Sequence, residues 1–354
     1  MSAGPRLTAG PGSGPGGSPT AIALSPILSA RYRSRDLELI QAAAPGARIV
    51  TLSREGLTDE PVGDVEVLLR GWLSSDAFDR LLARAPRLNY VHSASAGVES
   101  AMTPAARERG IVITNARGVF SRPIAEYVLM MILSVSRRLP GLLELQRERT
   151  WQPLEGVELR DVTVGIVGLG SIGRAVGALA TAFGCRVVAV RRRSEPGDQV
   201  VAPDDETRSF GALILDRVGG PDSLPELLAE SDFVVLAAPL TAETEGMIDA
   251  AALAAMKPSA WLINIARGRL IDERALLNAL RDGTIGGAIL DTFREEPLPP
   301  TSPFYDLPNV IVTPHTSWSS GRVLDRSVEL FCDNLRRYAA GEPLLNVVDP
   351  AAGY

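Results

Sequence analysis

Three side chains of different chemistry, Arg267, Glu296 and His315, each come shortly after an apolar run typical of a buried strand. Because ligands of open α/β sheets bind beyond the carboxyl ends of the strands, we expect all three at one sheet edge. Arginine pairs with a carboxylate through two parallel hydrogen bonds, and histidine exchanges protons near neutral pH. A glutamate beside the histidine favours the imidazolium and fixes the orientation of its ring. Together they predict a site that binds a carboxylic acid and moves a proton.

Each of these residues also has an ordinary structural explanation. Arg267 could form an ion pair, Glu296 could be a solvated loop acid, and His315 could be a packed turn residue. Since all three occur behind strands and in this order, coincidence explains the set poorly, and the functional interpretation is retained.

A glycine-rich turn predicts that a dinucleotide binds beside these residues. The run V-G-I-V-G-L-G-S-I-G, residues 164–173, leads from an apolar strand into a helix and contains Gly168, Gly170 and Gly173. The first glycine permits a tight turn, the second lets backbone approach a pyrophosphate, and the third lets the helix lie close to the sheet. The helix N–H groups then face the phosphates. The flanking strands, the second at 187–190, make this more than a chance glycine triplet.

The residues after that second strand indicate which dinucleotide is bound. An acidic residue there would accept hydrogen bonds from ribose hydroxyls, whereas arginine accommodates a 2′-phosphate. The chain has Arg191, Arg192 and Arg193 at this place, and Glu195 lies beyond the strand end. Because a guanidinium holds phosphate by its planar fork and its charge, we expect NADP(H), with NAD as the alternative. A solvated arginine cluster is the structural alternative.

Composition limits the remaining classes of function. The chain has 354 residues, enough for two domains, and its net charge of −6 disfavours general nucleic-acid binding. Lys257 is the only lysine, which disfavours a lysine Schiff base. Cys185 and Cys332 offer neither a disulfide framework nor metal-ligand spacing, and no run is long and apolar enough to span a membrane. We therefore expect a cytoplasmic protein without a metal site.

The first expected domain comprises residues 21–118, where strands and helices alternate as in a small α/β unit with a parallel sheet. Residues 1–20, mainly Gly, Pro, Ser and Ala, are expected to form a disordered tail. The expected strands are 21–24, 48–52, 65–69, 88–91 and 111–114, and the expected helices are 35–44 and 75–84, the latter capped by Ser74 or Ser75.

Two loops of this domain follow strands and are candidates for substrate binding. Arg70 ends one strand, and the small residues Ser95, Ala96 and Gly97 follow another. Backbone N–H groups in such a small-residue loop can reach a carboxylate. A surface ion pair is an equal alternative for Arg70, and His92 is expected to be structural.

The second expected domain, residues 119–318, carries the glycine turn and the three chemical residues. Its first helix, 121–138, is apolar on most sides, which predicts burial in a core or against another subunit. Residues 195–211 form an irregular polar segment, and the last helix, 320–341, is expected to return to the first domain, to which 319–354 belongs. Further strands are expected at 212–216, 233–237, 261–265, 287–290 and 310–312, with helices at 224–230, 253–257 and 272–281.

The motifs N-I-A-R-G-R-L-I-D-E, D-T-F-R-E-E-P-L-P and T-P-H-T, set after G-L-G-S-I-G, resemble those of the D-2-hydroxyacid dehydrogenase family. The resemblance extends in order from Arg117 to Asn346, and it is looser in the first domain, where S-A-G-V-E carries it. It implies a cofactor domain with a Rossmann-type doubly wound parallel sheet and a smaller flavodoxin-like α/β substrate domain. It also implies a homodimer through the cofactor domain, which suits helix 121–138.

The resemblance further implies a role for each chemical residue. Arg267 would anchor the substrate carboxylate and polarise its carbonyl, His315 would donate the proton, and Glu296 would be its partner. Glu296 is preferred to Glu295 because the family's glutamate directly precedes the proline. The expected cofactor-binding residues are then Gly168, Gly170, Ser171, Ile172, Gly173, Arg191, Arg192, Pro239, Thr244, Ile265, Ala266 and Asp291.

Two features depart from the family pattern. Arg191 replaces the acidic residue of NAD-preferring relatives, and segment 195–211 is longer than usual, so we expect it to bulge near the adenosine end. Formate dehydrogenases are also similar, but they carry glutamine at the position of Glu296, which disfavours that activity.

The function implied is reduction of a small 2-oxo acid, such as glyoxylate or hydroxypyruvate, to a D-2-hydroxy acid by NADPH. An NAD-dependent phosphoglycerate dehydrogenase is the first alternative, with Arg70 holding the phosphate, although we expect no added regulatory domain. A corepressor-like binding protein that senses dinucleotides is the alternative from another class. The choice of substrate depends on Arg70, Trp72 and Trp318, of which Trp318 either walls the pocket beside His315 or merely packs.

Overall fold

Two compact units make up the chain, Met1–Val119 with Gly321–Tyr354, and Phe120–Ser320. The computed structural model describes residues 16–27, 32–192, 200–201 and 212–349. Each unit is built on a parallel sheet with helices packed on it, so the α/β fold class expected from the sequence is confirmed.

The first unit contains five strands, β1 (Ala21–Leu24), β2 (Arg48–Thr51), β3 (Val65–Arg70), β4 (Tyr90–Ser93) and β5 (Val112–Thr114), and three helices, α1 (Ser34–Ala43), α2 (Ser75–Arg84) and α3 (Pro104–Glu108). The sheet order is β2-β1-β3-β4-β5, and all neighbouring strands are parallel. β1 and β4 are buried along their whole length, because helices cover both faces of a parallel sheet. Ser74 caps α2 by accepting a 3.1 Å hydrogen bond from the N–H of Ala77.

The first unit differs from expectation in two places. Helix α3 was not predicted, because its five residues are too few to show a helical period. Strand β4 begins at Tyr90 rather than at Leu88, which is buried in the preceding turn. Residues 16–20 of the expected disordered tail are described, and Thr20 donates its backbone N–H to Glu66 Oε2 at 2.9 Å. The rest of that expected tail, residues 1–15, lies outside the described residues.

The second unit contains strands β6 (Thr163–Val167), β7 (Arg186–Val190), β8 (Val200–Val201), β9 (Leu213–Ile214), β10 (Arg217–Gly219), β11 (Phe233–Leu236), β12 (Trp261–Asn264), β13 (Gly287–Leu290) and β14 (Val310–Val312). Seven of them form a parallel sheet in the order β10-β7-β6-β11-β12-β13-β14, and β8 and β9 form an antiparallel pair. The order reverses between β6 and β11, which makes the sheet doubly wound and places a topological switch point beside the glycine turn.

The helices of this unit are α4 (Ser121–Ser136), α5 (Leu139–Arg147), α6 (Ser171–Ala182), α7 (Leu224–Glu230), α8 (Ala250–Ala255) and α9 (Glu273–Arg281). The strand expected at 212–216 is shorter in the structure, Leu213–Ile214, and β10 follows it. The expected bulge of 195–211 lies outside the described residues, apart from the two residues of β8.

The apolar helix expected at 121–138 ends earlier, at Ser136, and a second helix follows directly. Arg138 adopts a left-handed backbone conformation with φ of 59°, which breaks the helical path, and Pro140 lies in the first turn of α5. α4 packs on α6 through residues such as Val128 and Ile132, whereas α5 buries none of its residues. The sequence therefore located the buried helix but not the exposed one.

The last helix, α10 (Val323–Ala340), packs on α1 within the first unit and ends at Gly341, whose φ is 70°. Phe331 and Leu335 of α10 are buried in the same core cluster as Ile22 and Ile40. Among the described residues, no helix combines the length and the apolar character needed to cross a bilayer.

Candidate active site

His315 and Glu296 come from the loops after β14 and β13, two neighbouring strands, and their side chains are in contact. The Nδ1 atom of His315 lies 2.8 Å from Glu296 Oε2, and the other carboxylate oxygen, Oε1, accepts the N–H of Phe293 at 2.9 Å. Both side chains remain accessible, with 41% of the histidine and 36% of the glutamate exposed. Glu296 therefore fixes the imidazole through Nδ1, and Nε2 has no protein partner among the described residues.

The charge of Glu296 is maintained by its surroundings. Partial burial by itself raises the pKa of this carboxyl, but the hydrogen bond from His315 and the N–H of Phe293 lower it, and the charge of Arg267 adds to that effect. The net shift is downward, so the carboxylate is ionised at neutral pH. An ionised carboxylate accepts hydrogen bonds only, hence His315 carries a proton on Nδ1.

Arg267 follows β12, and the buried amide of Asn264 shapes its loop. The Asn264 Nδ2 donates to the carbonyl of Arg267 at 2.9 Å, while its Oδ1 accepts the N–H of Ala266 at 3.1 Å. The charge of Arg267 lowers the pKa of Glu296, and the Arg267 loop meets the Glu296 loop at Gly268. The structure thus brings together the three residues that the sequence predicted for the chemistry.

Gly268 explains how two of these loops approach each other so closely. A Cβ atom at this position would lie 1.9 Å from the carbonyl carbon of Phe293 and 2.3 Å from the nitrogen of Arg294. Only glycine leaves room for that backbone contact. The loop that carries Arg267 therefore rests directly on the loop that carries Glu296.

Asp291 is fully buried and organises the segment that holds His315. Its Oδ1 accepts the hydroxyl of Thr313 at 2.6 Å and the N–H of Thr316 at 2.8 Å, and its Oδ2 accepts the N–H of Ser317 at 2.9 Å. Its carbonyl accepts the N–H of His315 at 2.9 Å. Asp291, expected from sequence to line the cofactor cleft, is thus engaged with its own protein, and a direct cofactor contact stays a prediction.

The glycine turn has the shape that a pyrophosphate requires. Gly168 has φ of 100°, and a Cβ there would lie 2.5 Å from the nitrogen of Ala238. A Cβ at Gly173 would lie 2.1 Å from the carbonyl oxygen of Gly168, so this glycine permits close packing of α6. Gly170 is exposed, and no described atom lies within 4 Å of a Cβ placed there. The turn is tight where the protein packs and open where a dinucleotide phosphate would bind, so the residues fit that cofactor.

The remaining expected cofactor residues surround this turn and the neighbouring strand ends. Arg191 and Arg192 directly follow β7, and Arg191 donates its N–H to the carbonyl of Gly219 at 3.0 Å. The Thr244 hydroxyl donates to the carbonyl of Pro239 at 2.7 Å, which folds the turn after β11. Arg193 lies outside the described residues. Ser171, Ile265 and Ala266 are buried, and Ile172 is partly exposed.

Arg70, a candidate substrate residue, lies in the interior of the first unit. It is 2% exposed, and its Nη2 donates to the carbonyls of Leu73 at 2.5 Å and Ser100 at 3.0 Å. Burial lowers its pKa to about 10. The alternative of a surface ion pair is therefore wrong, and a role in substrate binding stays a prediction.

The small-residue loop after β4 leaves backbone donors available. Ser95 donates its hydroxyl to the carbonyl of Gly97 at 2.9 Å, and Asn115 Nδ2 donates to the carbonyl of Ala96 at 2.9 Å. Within the described part of the chain, the N–H groups of Ala96 and Gly97 have no acceptor. Those two donors are available to an anion, and substrate binding by this loop stays a prediction.

His92 and the two tryptophans have different surroundings. His92 is fully buried against Phe331, and its Nδ1 lies 2.7 Å from Thr114 Oγ1, as expected of a structural residue. Trp72 is half exposed. Trp318 is partly buried and packs edge-on against a phenylalanine of its own unit, at 6.5 Å between ring centroids, and this contact favours the packing role.

Sequence reasoning missed two residues, Tyr127 and Thr313. The Tyr127 hydroxyl lies 2.7 Å from Thr313 Oγ1, which in turn bonds Asp291. The available signal was a tyrosine inside an otherwise apolar helix, because a buried tyrosine hydroxyl usually needs a hydrogen-bond partner.

The chain is similar to known proteins in sequence and in fold. Residues 129–317 match the model of the NAD-binding domain of D-isomer specific 2-hydroxyacid dehydrogenases. A glyoxylate reductase from Korarchaeum cryptofilum is 32% identical over 324 residues, which are 89% of this chain and 90% of that protein.

Two further relatives show how the length of this chain compares and which cofactor a similar structure contains. A D-3-phosphoglycerate dehydrogenase from Mycobacterium bovis is 36% identical over 289 residues, 81% of this chain, and the chain spans about half (51%) of its length. A D-isomer specific 2-hydroxyacid dehydrogenase from Xanthobacter autotrophicus, solved with NADPH and MES, superposes with a TM-score of 0.79 at 31% identity, covering 95% of this chain and 100% of that one. The chain belongs to the D-isomer specific 2-hydroxyacid dehydrogenase family.

Proposed function

We propose that this protein reduces small 2-oxo acids to D-2-hydroxy acids with NADPH. The observation that carries the proposal is the contact of His315 Nδ1 with the ionised Glu296, beside Arg267 and at the edge of a doubly wound sheet. This arrangement can hold a carboxylate and deliver one proton. Those are the two functions that the protein must supply for this reduction.

Each residue has a separate task in the reaction. Bound nicotinamide supplies a hydride to the keto carbon. Arg267 pairs with the substrate carboxylate and polarises the carbonyl. His315 passes its Nε2 proton to the carbonyl oxygen, which becomes the hydroxyl. Glu296 stabilises the imidazolium before the transfer and keeps Nδ1 protonated after it.

The preference for NADPH rests on the residues after β7. Arg191 and Arg192 stand where an acidic residue would otherwise bind the ribose hydroxyls, and guanidinium groups suit a 2′-phosphate. The relative from Xanthobacter autotrophicus was solved with NADPH, which supports the same choice. NAD is the alternative cofactor.

Steady-state assays with both cofactors test this function. NADPH and NADH would each be offered with glyoxylate, hydroxypyruvate, pyruvate and longer 2-oxo acids, and product configuration would be determined by chiral chromatography. We expect turnover of at least one short 2-oxo acid, a higher kcat/KM with NADPH, and a D product. A wild-type protein that turns over none of them would refute the proposal.

Oxidation of D-3-phosphoglycerate with NAD is the second candidate, because the relatives from Mycobacterium carry that name at 36% identity. The same assay with 3-phosphoglycerate and NAD separates the two. Buried Arg70, already bound to two carbonyls, is poorly available for a phosphate, so we expect this substrate to be the weaker one.

We also propose a homodimer formed through α4 and α5. Met130 of α4 is 50% exposed, and Leu139, Leu142 and Leu143 of α5 are about as exposed, which gives an apolar surface that a second copy would cover. Analytical ultracentrifugation should show a dimer, and Leu142→Glu with Leu143→Glu should give a monomer. A wild-type monomer at micromolar concentration would refute this proposal.

A cytoplasmic location is proposed from the two thiols. Cys185 and Cys332 are both free and buried, which is compatible with a reducing compartment. Fractionation of cells that express the tagged protein should recover it with the cytoplasmic proteins. Recovery with the secreted fraction would contradict this location.

A further inference from the structure

A chain of three hydrogen-bonding side chains links the interior of α4 to the loop that carries His315. The Tyr127 hydroxyl lies 2.7 Å from Thr313 Oγ1, and Thr313 Oγ1 lies 2.6 Å from Asp291 Oδ1. Tyr127 and Asp291 are buried. The chain therefore runs through the protein interior, where such bonds are stronger than in water.

The donors in this chain can be assigned from its chemistry. Thr313 donates its single hydroxyl proton to Asp291 Oδ1. The Thr313 oxygen is then left as an acceptor, and Tyr127 must be the donor to it. Burial, with the charge of Asp291 adding to it, raises the pKa of Tyr127 to about 12, so the phenol keeps its proton at neutral pH.

Asp291 also holds the backbone around His315 through hydrogen bonds. It accepts the N–H groups of Thr316 and Ser317 with its carboxylate and the N–H of His315 with its carbonyl. His315 itself has φ of 49°, a left-handed conformation that is unfavourable for a side chain with a Cβ atom. The surrounding bonds must hold that conformation, because such a strained backbone persists only where its surroundings fix it.

We propose that Tyr127 is a positioning residue for His315, acting through Thr313 and Asp291. Its hydroxyl fixes the Thr313 side chain, Thr313 holds the Asp291 carboxylate, and Asp291 keeps the backbone of residue 315 left-handed, so that the imidazole meets Glu296. The catalytic consequence rests on the proposed function, whereas the effect on the geometry of His315 does not.

The histidine content of the chain provides a direct measurement. His92 and His315 are the only histidines, and only His315 is exposed, so a ¹⁵N-histidine-labelled sample gives two sets of ring signals in NMR spectra. Tyr127→Phe removes one hydroxyl and keeps the ring. Thr313→Val removes the hydroxyl that joins Tyr127 to Asp291, whereas Thr313→Ser keeps a hydroxyl at that position. Tyr338→Phe is the control, because it removes a buried hydroxyl that donates to Asn89 in the other unit.

In the holoenzyme, Tyr127→Phe and Thr313→Val should shift the His315 ring signals and leave those of His92 in place. We expect kcat to fall about tenfold in Tyr127→Phe and further in Thr313→Val, with KM and NADPH affinity nearly unchanged. Because the residues act in series, the double variant should be no slower than Thr313→Val alone. Thr313→Ser should recover most of the lost kcat, and Tyr338→Phe should shift no His315 signal.

Unmoved His315 signals in Tyr127→Phe would overturn the inference, and so would additive losses in the double variant. If the signals move although the wild type reduces no 2-oxo acid, the positioning chain stands and the proposed function fails.

Discussion

The Nδ1 atom of His315 lies 2.8 Å from Oε2 of Glu296, and the two residues belong to loops that follow the neighbouring strands β14 and β13. The contact assigns different tasks to the two nitrogens of one ring. Nδ1 is held by a carboxylate, and Nε2 remains available for a substrate oxygen.

Replacing His315 by asparagine should therefore abolish most of the turnover while preserving cofactor binding. Asparagine tolerates the left-handed backbone at this position, so the loop is kept while the proton donor is lost. We expect kcat to fall about 10²- to 10⁴-fold, with the NADPH dissociation constant, measured by fluorescence, within about twofold of wild type. Unchanged kcat would remove His315 from the chemistry.

Two adjacent glutamates offer a matched pair of substitutions. Glu296→Gln removes the charge that favours the imidazolium, and kcat should fall about 10- to 100-fold. Glu295→Gln makes the same change one residue away, and its kcat should stay near that of wild type. Rapid-mixing assays of both variants with NADPH would check this, and equal losses would contradict the assignment of Glu296.

Cofactor choice should depend on Arg191, which directly follows β7. Arg191→Asp replaces a potential phosphate ligand with an acceptor for ribose hydroxyls, so the ratio of kcat/KM for NADPH to that for NADH should fall at least about tenfold. The control is Arg186→Gln at the opposite end of the same strand, where the side chain pairs with Glu230. If both variants keep the wild-type ratio, Arg191 does not select the cofactor.

His92 should make the protein sensitive to acid. Burial lowers its pKa from 6.5 to about 3, so the folded protein keeps this imidazole neutral while the unfolded chain protonates it. Its contribution to stability is present above the unfolded pKa and is lost as pH falls below 6.5 toward 3. From about pH 7.5 to about pH 5 this amounts to about 2 kcal/mol of unfolding free energy.

Urea unfolding of wild type and His92→Phe at both pH values isolates that contribution. The variant should be less stable at the higher pH, because it loses the hydrogen bond to Thr114, but it should lose about 2 kcal/mol less on acidification. Identical losses for the two proteins would assign the acid sensitivity to other groups.

Gly268→Ala should damage the site although glycine carries no chemistry. The new Cβ would collide with the backbone of Phe293, so the loops of Arg267 and Glu296 must separate, with a cost of about 1–3 kcal/mol in stability. We expect kcat/KM to fall more than about tenfold. Gly63→Ala, which has no described neighbour within 4 Å of the new atom, is the control and should behave as wild type.

The sequence predicted the framework well because its signals are local. Strands such as β13 and β14 are short apolar runs, and their predicted limits agree with the structure. Parallel strands then place the following residues at one edge, so the grouping of Arg267, Glu296 and His315 could be anticipated from their positions alone.

What the sequence did not predict depends on contacts between distant segments. The link from Tyr127 to Thr313 joins residues 186 positions apart, and no local pattern indicates such a bond. The interior position of Arg70 depends on carbonyls of Leu73 and Ser100, which only the folded loop presents. Strand β10 has three partly buried residues and depends on pairing with β7, so its own sequence shows no alternation.

The backbone contact at Gly268 has a consequence for engineering. Because the segments that follow β12 and β13 touch main chain to main chain, they form one transferable module rather than two independent parts. Directed evolution that randomises one of them alone will mostly yield poorly packed clones. Libraries for new substrates should recombine both segments as a single cassette, or leave both intact and vary the loops of the first unit.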